Sequence, residues 1–287
     1  MNRNLIFTLF FAIVNFLCAQ NDAFYFKYLT TGDGLSNNSV LGIKQDRFGQ
    51  IWFATNNGLN RYNGEDFTVY RNEPKNKLSI SNSEILNILE DREGYIWVGT
   101  INGLNRYDPQ KNTFKRYYRV ASDKNSLSNS LVISSLDMGN GRIWFGTANG
   151  VSIYNKKQDN FTRFLRASST NKQKAINHIY LDAKKHIWLS TNDGIIKITR
   201  TKKGKFTRSS FNLNSGESNF FVNNVLEVSP GILGVATKFK GYLLFDTVSE
   251  KFYYPKHTEL PKTLDVKDLE KDDFGNLWLA TTNGVFI

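Results

Sequence analysis

Apolar and polar positions in this chain recur as a unit. Five segments centre on a tryptophan between large aliphatic or aromatic neighbours: IWFATNNGLNRY from Ile51, IWVGTINGLNRY from Ile96, IWFGTANGVSIY from Ile143, IWLSTNDGIIKI from Ile187 and LWLATTNGVFI from Leu277. A sixth, LGVATKFKGYLLF from Leu233, has Gly234 at the tryptophan position and one extra residue before Gly241. The equivalent positions 52, 97, 144, 188, 234 and 278 are 44 to 47 residues apart, which accommodates four short strands with their turns.

Within each unit the pattern predicts a first strand, such as Val40 to Lys44, Ile85 to Leu89 or Ile176 to Leu181. A turn follows in which aspartate bonds nearby backbone and glycine takes positive φ, as in Asp46 to Gly49, Asp91 to Gly94 and Asp272 to Gly275. The second strand carries the tryptophan and ends at Thr55, Thr100, Thr147, Thr191, Thr237 or Thr281. In five units an Asn-Gly or Asp-Gly pair comes next (Asn57-Gly58, Asn102-Gly103, Asn149-Gly150, Asp193-Gly194, Asn283-Gly284), predicting a type I′ hairpin. A third strand, typified by Leu59 to Tyr62, then leads to a fourth that begins at Phe67, Phe114, Phe161, Phe206 or Phe252.

The second strand is apolar on both faces, so both faces must be covered. Blades arranged radially do this, each lying between two neighbours. A sandwich strand would keep one wet face, and a helical solenoid would need a 3.6-residue pattern. The expected fold class is therefore all-β: a β-propeller over residues 20–287, with repeats at approximately 37–73, 82–120, 128–167, 174–212, 219–257 and 262–287. One indole per unit is expected to wedge between adjacent blades. The unit with Gly234 is expected to pack least tightly, with Phe239, Tyr242 and Phe245 available to fill the gap. Six units leave two arrangements open. Either an N-terminal strand from Phe24 to Thr30 completes the last blade of a six-bladed ring, or the chain is the front part of a longer polypeptide with an incomplete seven-bladed ring.

Residues 1–19 read as a secretory signal peptide: Arg3 gives a basic start, Leu5 to Leu17 is apolar apart from Thr8 and Asn15, and Ala19 is small. Thirteen helical residues span roughly 20 Å, short of the ~30 Å hydrocarbon core. Export implies a periplasmic location. The single cysteine, Cys18, falls in the same segment, so the mature chain would have no disulfide, thiolate metal site or cysteine nucleophile. The net charge of +11 admits an anionic partner, but cations in the fourth strands (FKRYYR from Phe114, FTRFLR from Phe161) read first as protection of exposed sheet edges.

These residues resemble the two-component regulator propeller repeat. The resemblance rests on Thr30-Thr31-Gly32-Asp33-Gly34-Leu35-Ser36 with Val40, on Asp46 to Phe53, and on Thr55 with Asn57-Gly58-Leu59. It implies the periplasmic sensor region of a hybrid two-component regulator, typically one that detects carbohydrate breakdown products. Output segments such as a kinase, a receiver or a membrane span are not present in this sequence, so signalling would depend on C-terminal parts beyond it. The implied partners are an oligosaccharide ligand and a second copy of the propeller. No nucleic acid is implied, and a membrane enters only through that missing span.

No catalytic, cofactor or metal residue is assigned, and the ligand-binding residues are unknown at this stage. His178, His186 and His257 are scattered, and no nucleophile elbow, phosphate loop or zinc-binding helix motif occurs. Asp46, Asp91, Asp137, Asp182 and Asp272 recur with the repeat, which makes them turn residues rather than catalytic carboxylates. A secreted lyase or hydrolase and a protein-docking module are the alternative readings.

Overall fold

The computed structural model describes residues 26–139, 141–165, 175–201, 203–213, 220–256 and 260–287. The signal peptide, Cys18 and His257 lie outside the described residues.

Six antiparallel sheets form the blades of a β-propeller, five with four strands and the last with three, each paired in simple sequence order. The first strands are Val40–Gln45, Ile85–Glu90, Val132–Asp137, Ile176–Leu181, Val222–Ser229 and Val266–Lys271. They pack against one another in chain order and form the inner wall. The second strands run from Ile51–Thr55 in the first blade to Leu277–Thr281 in the last, and all but the last are almost wholly buried.

The indoles do wedge between blades. Trp52 packs on Ile80, Ile85 and Val98 of the second blade, and Trp97 on Leu127, Val132 and Phe145 of the third. Trp144 meets Ile176, Ile179 and Leu189 of the fourth. Trp188 meets Phe220, Val225 and Phe245 of the fifth. Among the described residues Trp278 belongs to no such buried cluster, and it is only half-buried. At the fifth junction the space is filled by Tyr242, whose hydroxyl would lie 3.0 Å from a Cβ placed on Gly234. Phe245 serves the preceding junction instead, and Phe239 is exposed.

The tight turn between second and third strands differs from the expected type I′. Thr55 pairs with Gly58, so Asn56 and Asn57 are the central residues and glycine flanks them. Only the glycine has positive φ, 132° at Gly58 and 84° at Gly194. The threonine hydroxyl holds the turn: Thr55 Oγ1 donates to Gly58 O at 2.9 Å and accepts from Asn57 N–H at 3.1 Å. At Gly194 an added Cβ would fall 2.1 Å from Phe211 O, so the close strand crossing also requires glycine.

The N-terminal segment also departs from expectation. Residues 26–30 form no strand and add nothing to the sixth sheet. Lys27 Nζ donates to Tyr62 Oη at 2.7 Å, and Leu29 and Leu35 join Phe53 and Tyr62 on the first blade. A capping box then turns the chain, with Asp33 Oδ2 accepting from Thr30 N–H at 2.8 Å ahead of the 3-10 turn Thr31–Asp33. The far sides of the first and last blades carry exposed Leu41, Ile43, Val285 and Phe286.

Arg116 and Arg163 do more than guard edges. Arg116 Nε donates to Ser79 O at 2.6 Å and its Nη2 to Asn76 O at 2.7 Å. Arg163 grips the equivalent carbonyls of Ser126 and Asp123. Each guanidinium ties an outer strand to the loop that leads into its own blade.

Candidate functional site

Along the inner wall the chemistry changes from blade to blade. Third along the six first strands stand Gly42, Asn87, Ser134, His178, Asn224 and Asp268. In all six of these strands the pairing register slips just before this residue, for example between Ile176 and His178 and between Val222 and Asn224. A bulge of this kind releases one residue from the ladder and re-aims its neighbours. The released Asn177 donates through Nδ2 to Val222 O at 2.8 Å, and Asn223 likewise to Val266 O at 2.6 Å.

These bonds run from each blade to the next. Ser135 Oγ donates to Asn87 Oδ1, Ser134 Oγ to Ile176 O at 3.0 Å, and Asn224 Nδ2 to the Asp268 carboxylate. His178 Nδ1 faces the Val225 N–H at 3.5 Å. Burial pushes the His178 imidazole below its ordinary value, against the opposing pull of Asp268. A neutral ring that accepts at Nδ1 keeps Nε2–H as a donor.

Two polar atoms here have no partner. Asn224 Oδ1 and Ser190 Oγ are buried and make no hydrogen bond among the described residues. Ser190 lies directly across the ladder from His178. At that position the other five blades carry Ala54, Gly99, Gly146, Ala236 and Ala280, so the hydroxyl is peculiar to this blade. Leaving such groups unpaired costs roughly 1 to 3 kcal/mol each. His178, Ser190, Asn224 and Asp268 thus form a polar cluster across the fourth to sixth blades, with Asp268 exposed. The wall chemistry was not singled out from sequence, although Ser190 among alanines and glycines is a signal legible there.

The remaining residues of interest are structural. His186 Nδ1 lies 2.9 Å from Asp182 Oδ2. Among the described residues no three His, Cys, Asp or Glu side chains are grouped to hold a metal. Asp46, Asp91, Asp182 and Asp272 each accept the indole Nε1–H of the tryptophan six residues on, at 2.7 to 2.9 Å. Asp137 is not their counterpart. Met138 occupies that place, since its N–H closes the turn on Arg142 O at 3.1 Å as Asp91 N–H does on Tyr95 O at 3.0 Å.

The family pattern described as two component regulator propeller matches residues 34–57 and 79–102. The chain carries two-component regulator propeller repeats. Both matches run from the loop before a first strand through the tryptophan strand to the Thr-held turn, which are the parts just described. A histidine kinase of Formosa agariphila is 50% identical over 64 residues, covering 22% of this chain and 5% of that protein.

Among solved structures, the extracellular domain of a hybrid two-component system from B. thetaiotaomicron superimposes with TM-score 0.69 and 23% identity, over 90% of this chain and 32% of that one. A second such domain from the same organism gives 0.55 and 23%, over 90% and 41%. Virginiamycin B lyase from Staphylococcus aureus gives 0.63 and 16%, over 88% and 80%. At these identities the likeness establishes the fold, which enzymes share with sensors. The chain spans about a third of the length of the first of these extracellular domains.

Proposed function

We propose that this regulator propeller is the exported ligand-binding part of a two-component sensor and that it recognises an oligosaccharide at the inner wall of its fourth to sixth blades. One observation carries the reading: Asn224 Oδ1 and Ser190 Oγ are buried without partners beside His178 and Asp268. Hydroxyl groups, or a water relaying to them, both donate and accept, which suits a wall that offers acceptors at Asn224 and Asp268 and a donor at His178 Nε2. The kinase relative and the sensor-domain neighbours support the assignment to signalling.

The test is saturation-transfer NMR of the folded chain against a library of neutral and acidic glycan fragments. A saturable binder whose signal is lost in Asn224→Ala and Asp268→Ala is the expected result. Failure of every fragment to bind, or binding unchanged in both variants, overturns the reading.

A further inference from the structure

The repeat is its own control: a position that departs from most of its counterparts, against the local backbone or packing rule, marks a place where something other than the fold is served. Two such departures fall on one groove. The first is Met138, which replaces the aspartate that holds the indole in four other blades. Trp144 consequently has no carboxylate partner among the described residues, although it is buried like its counterparts.

The second departure is Lys185. In the Asp-x-x-Gly turn the fourth residue is Gly49, Gly94 or Gly275, at φ of 81°, 88° and 90°. In the fourth blade that place is held by Lys185 at φ 66°, with the same turn bond from its N–H to Asp182 O at 2.9 Å. A lysine in the left-handed region pays a conformational penalty that glycine avoids. Strain of this kind is retained where the side chain has a use.

Both residues line a cavity of about 270 Å³ between the third and fourth blades. Its floor is Trp144, Ile187, Ile198 and Phe206, and its cations are Arg142, Lys185 and Arg200. Among the described residues no carboxylate lines it. The corresponding groove between the second and third blades has three acids, Asp91, Glu93 and Asp137, facing its cations Arg92, Arg106 and Lys156, and is only about 30 Å³. There the turn aspartate, Asp91, occupies the ground beside the indole, with Lys156 paired to Glu93.

We propose that the groove between the third and fourth blades binds an organic anion carried on a ring, its acid group lying where an aspartate carboxylate lies beside the indole N–H in four other blades. The apolar floor takes the ring face, the Trp144 Nε1–H and the three cations donate to the acid group, and the volume suits a single ring with its substituents. A carboxylate on an aromatic ring and one on a uronic acid share this chemistry.

The experiment titrates the full chain by calorimetry with benzoate and with galacturonate, using benzyl alcohol and galactose as neutral controls. One or both anions are expected to bind saturably at a single site, and the choice between them tells an aromatic from a sugar acid. Neither neutral analogue is expected to bind.

Met138→Asp supplies the missing carboxylate and is expected to weaken anion binding by at least about tenfold while raising the melting temperature. Lys185→Gly is expected to weaken it by about fivefold, also with a higher melting temperature. Both restore residues that other blades carry. Arg200→Gln, at an exposed position, gives a third variant that leaves the core untouched.

Binding of neither anion at millimolar concentration, equal binding of the neutral analogues, or unchanged affinity in Met138→Asp and Arg200→Gln overturns the proposal. Asn224→Ala is expected to leave anion binding intact and Met138→Asp to leave glycan binding at the inner wall intact, so the two sites fail or stand separately.

Discussion

The carboxylate of Asp182 accepts the indole Nε1–H of Trp188 at 2.9 Å, and so joins the turn between the first two strands of the fourth blade to the ring that packs against the fifth. The same carboxylate also accepts His186 N–H at 2.8 Å. One side chain therefore fixes a local turn and an inter-blade contact together. Asp182→Ala removes both acceptors and leaves a buried indole donor unpaired. We expect a loss of about 2 to 4 kcal/mol in urea unfolding followed by tryptophan fluorescence.

The pH dependence of this clip has a definite sign. Burial opposes ionisation of Asp182, but the hydrogen bonds from Trp188 and His186 outweigh it and hold the carboxyl below its ordinary value. The stability it contributes is present above about pH 4 and is lost as the pH falls through the depressed folded value. Asp91 is the opposite case: burial outweighs the bonds from Trp97 and Tyr95 and raises it. Its contribution is complete below about pH 4 and declines as the pH rises through the raised value. Asp182→Asn should therefore cost more at pH 7 than at pH 3, and Asp91→Asn should show the reverse, both read from urea midpoints.

Much of this was legible in the sequence because it repeats. The Trp-Thr-Gly spacing fixed strand order, turn positions and the inter-blade role of the indoles, since each local choice agreed with the same global arrangement. What escaped was set by relations between units. Asn57-Gly58 looked like the centre of a type I′ turn because a sequence does not show which residue Thr55 pairs with, and the threonine hydroxyl decided that. Asp137 looked like a turn aspartate because a one-residue offset is invisible until the Met138 N–H is seen to close the turn. The inner-wall cluster depends on bulges that turn Asn177 and Asn223 toward the next blade, and no spacing rule encodes them.

Gly234 tests whether Tyr242 substitutes for the missing indole. A Cβ at this position would approach Val228 Cγ1 to 2.8 Å and Tyr242 Oη to 3.0 Å. Burial pushes the Tyr242 phenol up to about 12, so the ring stays neutral in its packed position. Gly234→Ala is expected to destabilise by about 1 to 3 kcal/mol through overpacking. The double change Gly234→Ala with Tyr242→Phe should recover part of that loss, and thermal melting of the pair checks it.

Arg116 tests whether the loop clamp depends on guanidinium geometry. Its Nε and Nη2 reach Ser79 O, Asn76 O and Ser79 Oγ at 2.6 to 2.7 Å, a fork that a single ammonium cannot reproduce. Arg116→Lys should cost about 1 to 2 kcal/mol despite keeping the charge. Amide exchange should rise across residues 73–81 and stay unchanged in the fifth blade. An equal loss on both sides of the molecule would show that the clamp is not local.

Two members of the indole series separate packing from sequence identity. Trp97 and Trp278 stand at the same place in near-identical segments, and both indoles donate to an aspartate six residues earlier, at 2.7 and 2.9 Å. Only Trp97 is enclosed by a following blade, through Leu127, Val132 and Phe145, and it contacts Tyr117, Phe145 and Tyr154 with ring centroids 4.7 to 5.7 Å apart. Its removal leaves a cavity lined on both sides by protein, so Trp97→Ala should cost about 3 to 5 kcal/mol. Trp278 is half-buried, and solvent can relax into the space its side chain leaves. Trp278→Ala should cost less than half as much in the same urea titration. Equal losses would mean that the indoles act within their own blade, and the inter-blade account of stability would have to be abandoned.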